Sequence, residues 1–255
     1  LISNPSMFVL GKPGLGKSSL TRRMAAGLSG YGTIPLVLGD LKPDYVDLIE
    51  ALDGQVITLG RGRGYLNILD PGEAAQAADR LRTRATELQG QADEIRASAE
   101  LYARDRQRKI DQADALALES TKCLRSANQV IADAHGRRHT MVSALLTILR
   151  SEPPTDREET IIDRALKYLD ENFTGIPVLG DLLQVIQDAP DAIRQVALDR
   201  GDLARYKVIT ENLEASLIGL TTGGRLGEIF SRQTTTPMRR DRPVVYDVSS
   251  IDDSD

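Results

Sequence analysis

Gly11-Lys12-Pro13-Gly14-Leu15-Gly16-Lys17-Ser18 is a complete match to the phosphate-loop pattern G-x-x-x-x-G-K-[ST], and it constrains the chain more than any other feature. The apolar run Met7-Phe8-Val9-Leu10 precedes it, and the helix-forming stretch 18–26 follows. Strand, glycine turn and helix is the context in which such a loop works. The glycines let successive backbone N–H groups turn inward and cup phosphate oxygens, which a Cβ would obstruct. The helix N-terminus adds the positive end of its dipole. Lys17 is suited to the β- and γ-phosphates, and the Ser18 hydroxyl to Mg²⁺. The expected cofactors are therefore ATP and Mg²⁺. The cofactor-binding set is Gly11, Lys12, Pro13, Gly14, Leu15, Gly16, Lys17, Ser18 and Ser19, with Ser18 on the metal. The spacing of Gly11, Gly14 and Gly16 does not fit a dinucleotide fingerprint.

Two kinds of sequence follow one another along the 255 residues. Residues 1–70 alternate strand and helix patterns. Strands are expected at 7–10, 34–38 and 56–59, and helices at 17–28 and 43–52, which implies parallel pairing with right-handed crossovers. From residue 71 the composition turns to Ala, Glu, Gln, Arg and Asp. Leu81, Ala85, Leu88, Ala92, Ile95 and Ala99 recur at three- and four-residue steps, continued by Ile110, Ala113, Ala117, Thr121 and Leu124. Narrow Ala-rich stripes suit a long helical hairpin. A more apolar helix is expected at 141–149, broken by Pro153-Pro154. Thr155-Asp156-Arg157-Glu158 fits a capping box at the head of the next helix. Further helices are expected at 179–187, 191–199 and 203–218, ended by Gly223-Gly224. Pro243-Val244-Val245-Tyr246-Asp247-Val248 then reads as a buried strand. The expected division is 1–70 as the first part of the nucleotide-binding core, 71–218 as a helical insert, and 219–255 as a return to the core.

Composition narrows the setting. The chain has no run of eighteen apolar residues, so membrane insertion is not expected. A single Cys123 makes no internal disulfide and suits a reducing cytoplasm. The net charge of −5 argues against a whole-surface grip on nucleic acid, while leaving room for a local basic patch. The opening on Leu1 and the closing Asp252-Asp253-Ser254-Asp255 both read as cuts in a longer polypeptide.

After the loop come Gly39-Asp40-Leu41-Lys42-Pro43-Asp44-Tyr45, Leu52-Asp53-Gly54-Gln55-Val56-Ile57, Leu66-Asn67-Ile68-Leu69-Asp70-Pro71, Pro177-Val178-Leu179-Gly180-Asp181-Leu182, Gly227-Glu228-Ile229-Phe230 and the strand ending in Asp247. Together these segments span nearly the whole chain, and in order and spacing they resemble the large cytoplasmic ATPases of conjugation and type IV secretion, TraC-type members of the HerA/FtsK superfamily. The resemblance implies an α/β fold: a RecA-like P-loop NTPase core with a parallel sheet and a large all-helical insertion. It implies ATP hydrolysis, a homo-hexamer, transfer-channel or secretion components as partners, and a place at the inner face of the membrane. It also implies a later strand ending Asp-Glu, which the sequence to Asp255 does not contain. DNA translocation by the same kind of motor, and a nucleotide-binding assembly module without turnover, are the alternative functions.

The expected catalytic set is Lys17, Asp40 and Asp247. Asp40 either touches the Mg²⁺ shell or caps the helix that opens near Pro43. Asp247 is either the metal-side carboxylate or a strand-end residue, and Val248 after it, in place of Glu, favours the second reading. Lys42 and the basic loop Arg61-Gly62-Arg63-Gly64 read either as nucleotide neighbours or as solvated surface. His135 and His139, spaced i,i+4, have a metal-compatible step but no third His. Arg137, Arg138 and Arg225 are candidates for a charge donated to a neighbour's γ-phosphate, or for ordinary ion pairs.

Overall fold

The computed structural model describes residues 6–60, 62–101, 105–221 and 227–251. Its contacts divide the chain into two compact units, Leu1–Asn67 with Gly219–Asp255, and Ile68–Ile218.

The first unit carries helix α1 (Lys17–Ser29), strand β1 (Leu36–Asp40), helix α2 (Val46–Ala51), strand β2 (Gln55–Thr58) and strand β3 (Val244–Asp247). The three strands form a parallel sheet in the order β1-β3-β2. Val245 aligns with Val37 on one side and with Val56 on the other. The central strand thus comes from the distant end of the sequence. Ile57, Leu59 and Val244 form its buried cluster, backed by Leu66, Tyr246, Val248 and Ile251. Ile49 of α2 is fully buried against Gly54, where an added Cβ would crowd the carbonyls of Ile49 and Pro243 at 2.7 Å.

The expected fold class is not what forms. Helix makes up 64% of the chain, and the described residues contain one small sheet of three strands, not a RecA-like core carrying an insertion. Residues 7–10, expected as the first strand, form no strand with the described residues. Phe8 is 92% exposed and Leu10 89%. An apolar run signals strand only when a neighbouring edge takes up its backbone groups, and hydropathy cannot supply that partner. No residue of α1 is buried.

The second unit is helical: α3 (Ala74–Leu101), α4 (Arg106–Arg150), α5 (Asp156–Asn172), α6 (Leu179–Asp188), α7 (Asp191–Ala197) and most of α8 (Leu203–Thr221). A short helix α9 (Gly227–Phe230) belongs to the first unit. The helix expected at 141–149 is the end of α4, which runs unbroken for 45 residues.

Small residues at seven-residue steps join α3 to α4. Ala78, Ala85, Ala92 and Ala99 are buried on α3, and Ala113, Ser120, Ala127 and Ala134 on α4. Thr121 and Leu124, expected on this stripe, are exposed, and Ser120 and Ala127 take their place. A strict seven-residue repeat keeps one seam in contact along two helices, and small side chains allow a close approach. Antiparallel register is fixed by Arg96 to Asp114 (2.7 Å) and Lys109 to Ser98 (2.6 Å). Ser120 is buried because its hydroxyl donates to the Ala85 carbonyl at 2.8 Å.

Beyond the hairpin, α4 is clasped to α5 by charge. Arg138, 5% exposed, donates to both Asp170 oxygens at 2.7 and 2.6 Å. His135 contacts Asp163 at 2.7 Å, and His139 contacts Glu159 at 2.9 Å. Arg150 ends α4 and reaches Glu158, Ser216 and the Asn212 carbonyl, tying α4, α5 and α8 together. The capping box at Thr155 and Glu158 is formed in full. Tyr206 is buried and donates to the Ile186 carbonyl at 2.7 Å; burial pushes its phenol well up from the ordinary value.

Two predictions follow from these seams. Ala85→Leu forces three more heavy atoms into the α3–α4 contact and lowers stability by ~1–3 kcal/mol in chemical denaturation; an unchanged midpoint contradicts the close approach. Burial opposes ionisation of Asp163, but its bonds to Lys167 and His135 outweigh that and hold its carboxyl below the ordinary 3.8. Its contribution is complete above that value and is lost as the pH falls through the lowered folded value. Asp163→Asn therefore reduces the loss of stability as the pH falls below about 4, and parallel losses in the two proteins contradict the assignment.

Candidate nucleotide-binding site

The loop 11–18 is built around two glycines that no other residue replaces without strain. Gly14 has φ +83° and Gly16 φ +80°, and an ideal Cβ at either would meet nothing within 4 Å. The requirement is therefore backbone conformation rather than space. The turn is closed by Leu15 N–H donating to the Lys12 carbonyl at 3.4 Å. Gly16 then caps α1, which begins at Lys17 with no side-chain cap and no acidic residue in its first turn. The N–H groups there face no competing carboxylate, and the positive end of the helix dipole is unopposed.

Lys17 folds back over its own loop. Its Nζ donates to the Gly11 carbonyl at 2.9 Å and to the Lys12 carbonyl at 3.0 Å. Two of its three N–H bonds hold the ammonium in place, and one is left for a ligand. Ser18 is half-buried at the helix start, and Ser19 is exposed. Thr21 donates to the Lys17 carbonyl at 3.0 Å and stiffens the first turn. A polyphosphate fits these residues: an uncapped helix start, a held ammonium and a hydroxyl on one short segment. Ser18 is the residue that would hold Mg²⁺ beside it.

Asp40 and Asp247 end neighbouring strands, and their Cα atoms are register partners. Asp40 is 5% exposed, and its Oδ2 accepts the Tyr45 N–H at 2.8 Å, at the entry to α2. The bond satisfies the N–H of Tyr45, the residue that precedes α2 and makes no side-chain cap of its own. Asp247 accepts both the backbone N–H and the hydroxyl of Ser249, at 3.0 and 2.6 Å. That is a strand-end turn. Neither carboxylate is bonded to Lys17 or Ser18.

The loop after β2 is pinned. Gly60 and Gly64 bridge one another, and a Cβ on Gly60 would run into Ser250, one on Gly64 into the Thr58 carbonyl. Ser250 also donates to the Leu59 carbonyl at 3.0 Å. Arg63 sits exposed on this loop, and Lys42 is exposed after β1. Arg61, Arg225, Gly223-Gly224 and the final acidic residues lie outside the described residues.

Arg138 is removed from the candidates for a donated charge, because it is buried and committed to Asp170. Arg137 is exposed on α4. His135 and His139 are occupied by carboxylates of α5, and no group of three His, Cys, Asp or Glu among the described residues is arranged to hold a metal. Sequence reasoning missed the Lys12 carbonyl as an anchor for Lys17; a backbone acceptor leaves no compositional trace.

No family model, curated protein or solved structure matches the chain. No described helix is long and apolar enough to cross a membrane.

Removal of the Asp40 carboxylate tests its role. Asp40→Ala frees the Tyr45 N–H and costs about 0.5–2 kcal/mol of stability, whereas Asp40→Asn keeps an acceptor and is nearly neutral. Equal effects of the two substitutions in denaturant titrations would show that capping is not what Asp40 does.

Proposed function

We propose that this chain binds ATP with Mg²⁺ through residues 11–18 and is the nucleotide-binding part of an ATP-driven motor like those of conjugation and type IV secretion. The observation that carries the reading is the posture of Lys17. Its ammonium is held by the Gly11 and Lys12 carbonyls beside the uncapped N-terminus of α1. Such an arrangement concentrates positive charge and free N–H donors at one point, which is what a polyphosphate requires. The bound Mg²⁺ would neutralise phosphate charge beside Ser18.

Hydrolysis in the whole motor, transfer of protein or DNA across an envelope, a homo-hexameric ring and a cytoplasmic location at the membrane's inner face belong to the same proposal. They rest on the sequence resemblance. Asp40 and Asp247, at the carboxyl edge of the parallel sheet, are the carboxylates available to order water. Ligands of open α/β sheets bind outside that edge.

Calorimetric titration with Mg²⁺ and ATP tests the reading. The unaltered chain binds, and Lys17→Ala, which removes a charged hydrogen-bond donor, loses about tenfold or more in affinity. Circular dichroism establishes that the variant stays folded. Absence of binding by the unaltered chain, or equal affinity in the variant, overturns it.

A further inference from the structure

The seam of the helical hairpin continues past the point where the hairpin ends. Ala113, Ser120, Ala127 and Ala134 stand at seven-residue steps on α4, and each is at most 4% exposed. The same step leads on to Met141, 45% exposed, and Ile148, 69% exposed. Length explains the change. The Ser120–Ala85 bond fixes the register of α3, which begins at Ala74, near the level of Ala134. From there α4 runs on to Arg150, about four more turns. Val142 and Leu146, turned away from the seam, are fully buried. The uncovered strip is therefore the extension of a contact face already used lower on the same helix.

A seven-residue repeat keeps one face of a helix toward a partner helix along its whole length. Met141 and Ile148 are larger than the alanines they follow, so a helix seated on them stands further from α4 than α3 does. Methionine also adapts its shape to what it meets. Charge narrows the partner. No Asp or Glu occurs from residue 135 to 151. Arg138 and Arg150 in that stretch are committed to Asp170 and Glu158. Arg137, one turn before Met141 at the border of the strip, is exposed and makes no ion pair with the described residues. Thr140 and Ala144 beside the strip are exposed and uncharged. Two copies of this face would bring together cations without an anion, which disfavours self-pairing.

We infer that the end of α4, centred on Met141 and Ile148, is a docking face for an acidic amphipathic α-helix of another protein. That helix carries apolar residues at three- and four-residue steps and a carboxylate at its border, opposite Arg137. Docked in this way it prolongs the α3–α4 seam, with apolar contact supplying affinity and Arg137 selecting the charge of the partner. The inference is independent of the nucleotide reading.

The test uses the full chain and two synthetic helical peptides of about three heptads, with Leu along one face and either Glu or Lys at its borders. Fluorescence anisotropy of the labelled peptides measures affinity, and circular dichroism establishes that each variant stays folded. The Glu-bordered peptide is expected to bind more tightly than the Lys-bordered one. Ile148→Asp and Met141→Asp each lower its affinity about tenfold or more, as loss of a central apolar contact does. Leu118→Asp, at a site on α4 that is 57% exposed but off the seam, leaves it unchanged. Arg137→Glu weakens the Glu-bordered peptide and strengthens the Lys-bordered one, each by about twofold to fivefold. The inference is overturned if neither peptide binds, if Ile148→Asp and Met141→Asp bind as the unaltered chain does, or if Arg137→Glu leaves the preference between the peptides as it was. It is also overturned if sedimentation velocity shows the unaltered chain alone to be a dimer that Ile148→Asp dissociates, because a second copy then covers the face.

Discussion

The α/β unit depends on a strand delivered from far along the chain. β3 (Val244–Asp247) lies between β1 and β2, which do not pair with each other. Without it, Leu36–Asp40 and Gln55–Thr58 have no sheet, and Ile57 and Leu59 lose Val244 as their partner. Closing so long a loop costs little more than closing a moderate one, because the entropy grows only with the logarithm of length. A further consequence concerns chemistry. The register of β3 brings Asp247 beside Asp40, two carboxylates more than two hundred residues apart, at one end of the sheet.

The helical unit is held by different means. Its hairpin uses a seam of alanines with one serine, where the stabilisation comes from close contact rather than large side chains. At the root of α4 the means change to charge: Arg138 with Asp170, Arg150 with Glu158. Arg138 is the buried member of its pair and Asp170 is partly exposed, so removing Asp170 is what strands a charge. Arg150 satisfies three groups on two other helices, which fixes where α4 ends relative to α5 and α8.

Features written into local spacing were legible in the sequence. Gly14 and Gly16 need positive φ, and their pattern announces it. The Thr155 capping box and the long hairpin were equally plain, because both are properties of short-range periodicity. Features that depend on a distant partner were not legible. Residues 7–10 have the composition of a strand, yet no edge among the described residues pairs with them. Arg138 reads as a surface cation until Asp170 is known to stand opposite. The stripe on α4 was displaced from Ser120 and Ala127 toward Thr121 and Leu124, because three- and four-residue steps drift from a strict seven-residue seam. At the candidate site, Lys17 could be picked out from the motif, but the carbonyls that hold its ammonium could not.

If residues 11–18 hold the phosphates of ATP through their backbone, as proposed, the N–H groups themselves report it in amide hydrogen exchange across the segment. With Mg²⁺ and ATP, exchange is expected to slow at Gly14, Leu15, Gly16, Lys17 and Ser18, less with ADP and not at all with adenosine. Exchange in that segment that is the same with and without ATP, at concentrations that saturate any binding seen by calorimetry, would contradict it.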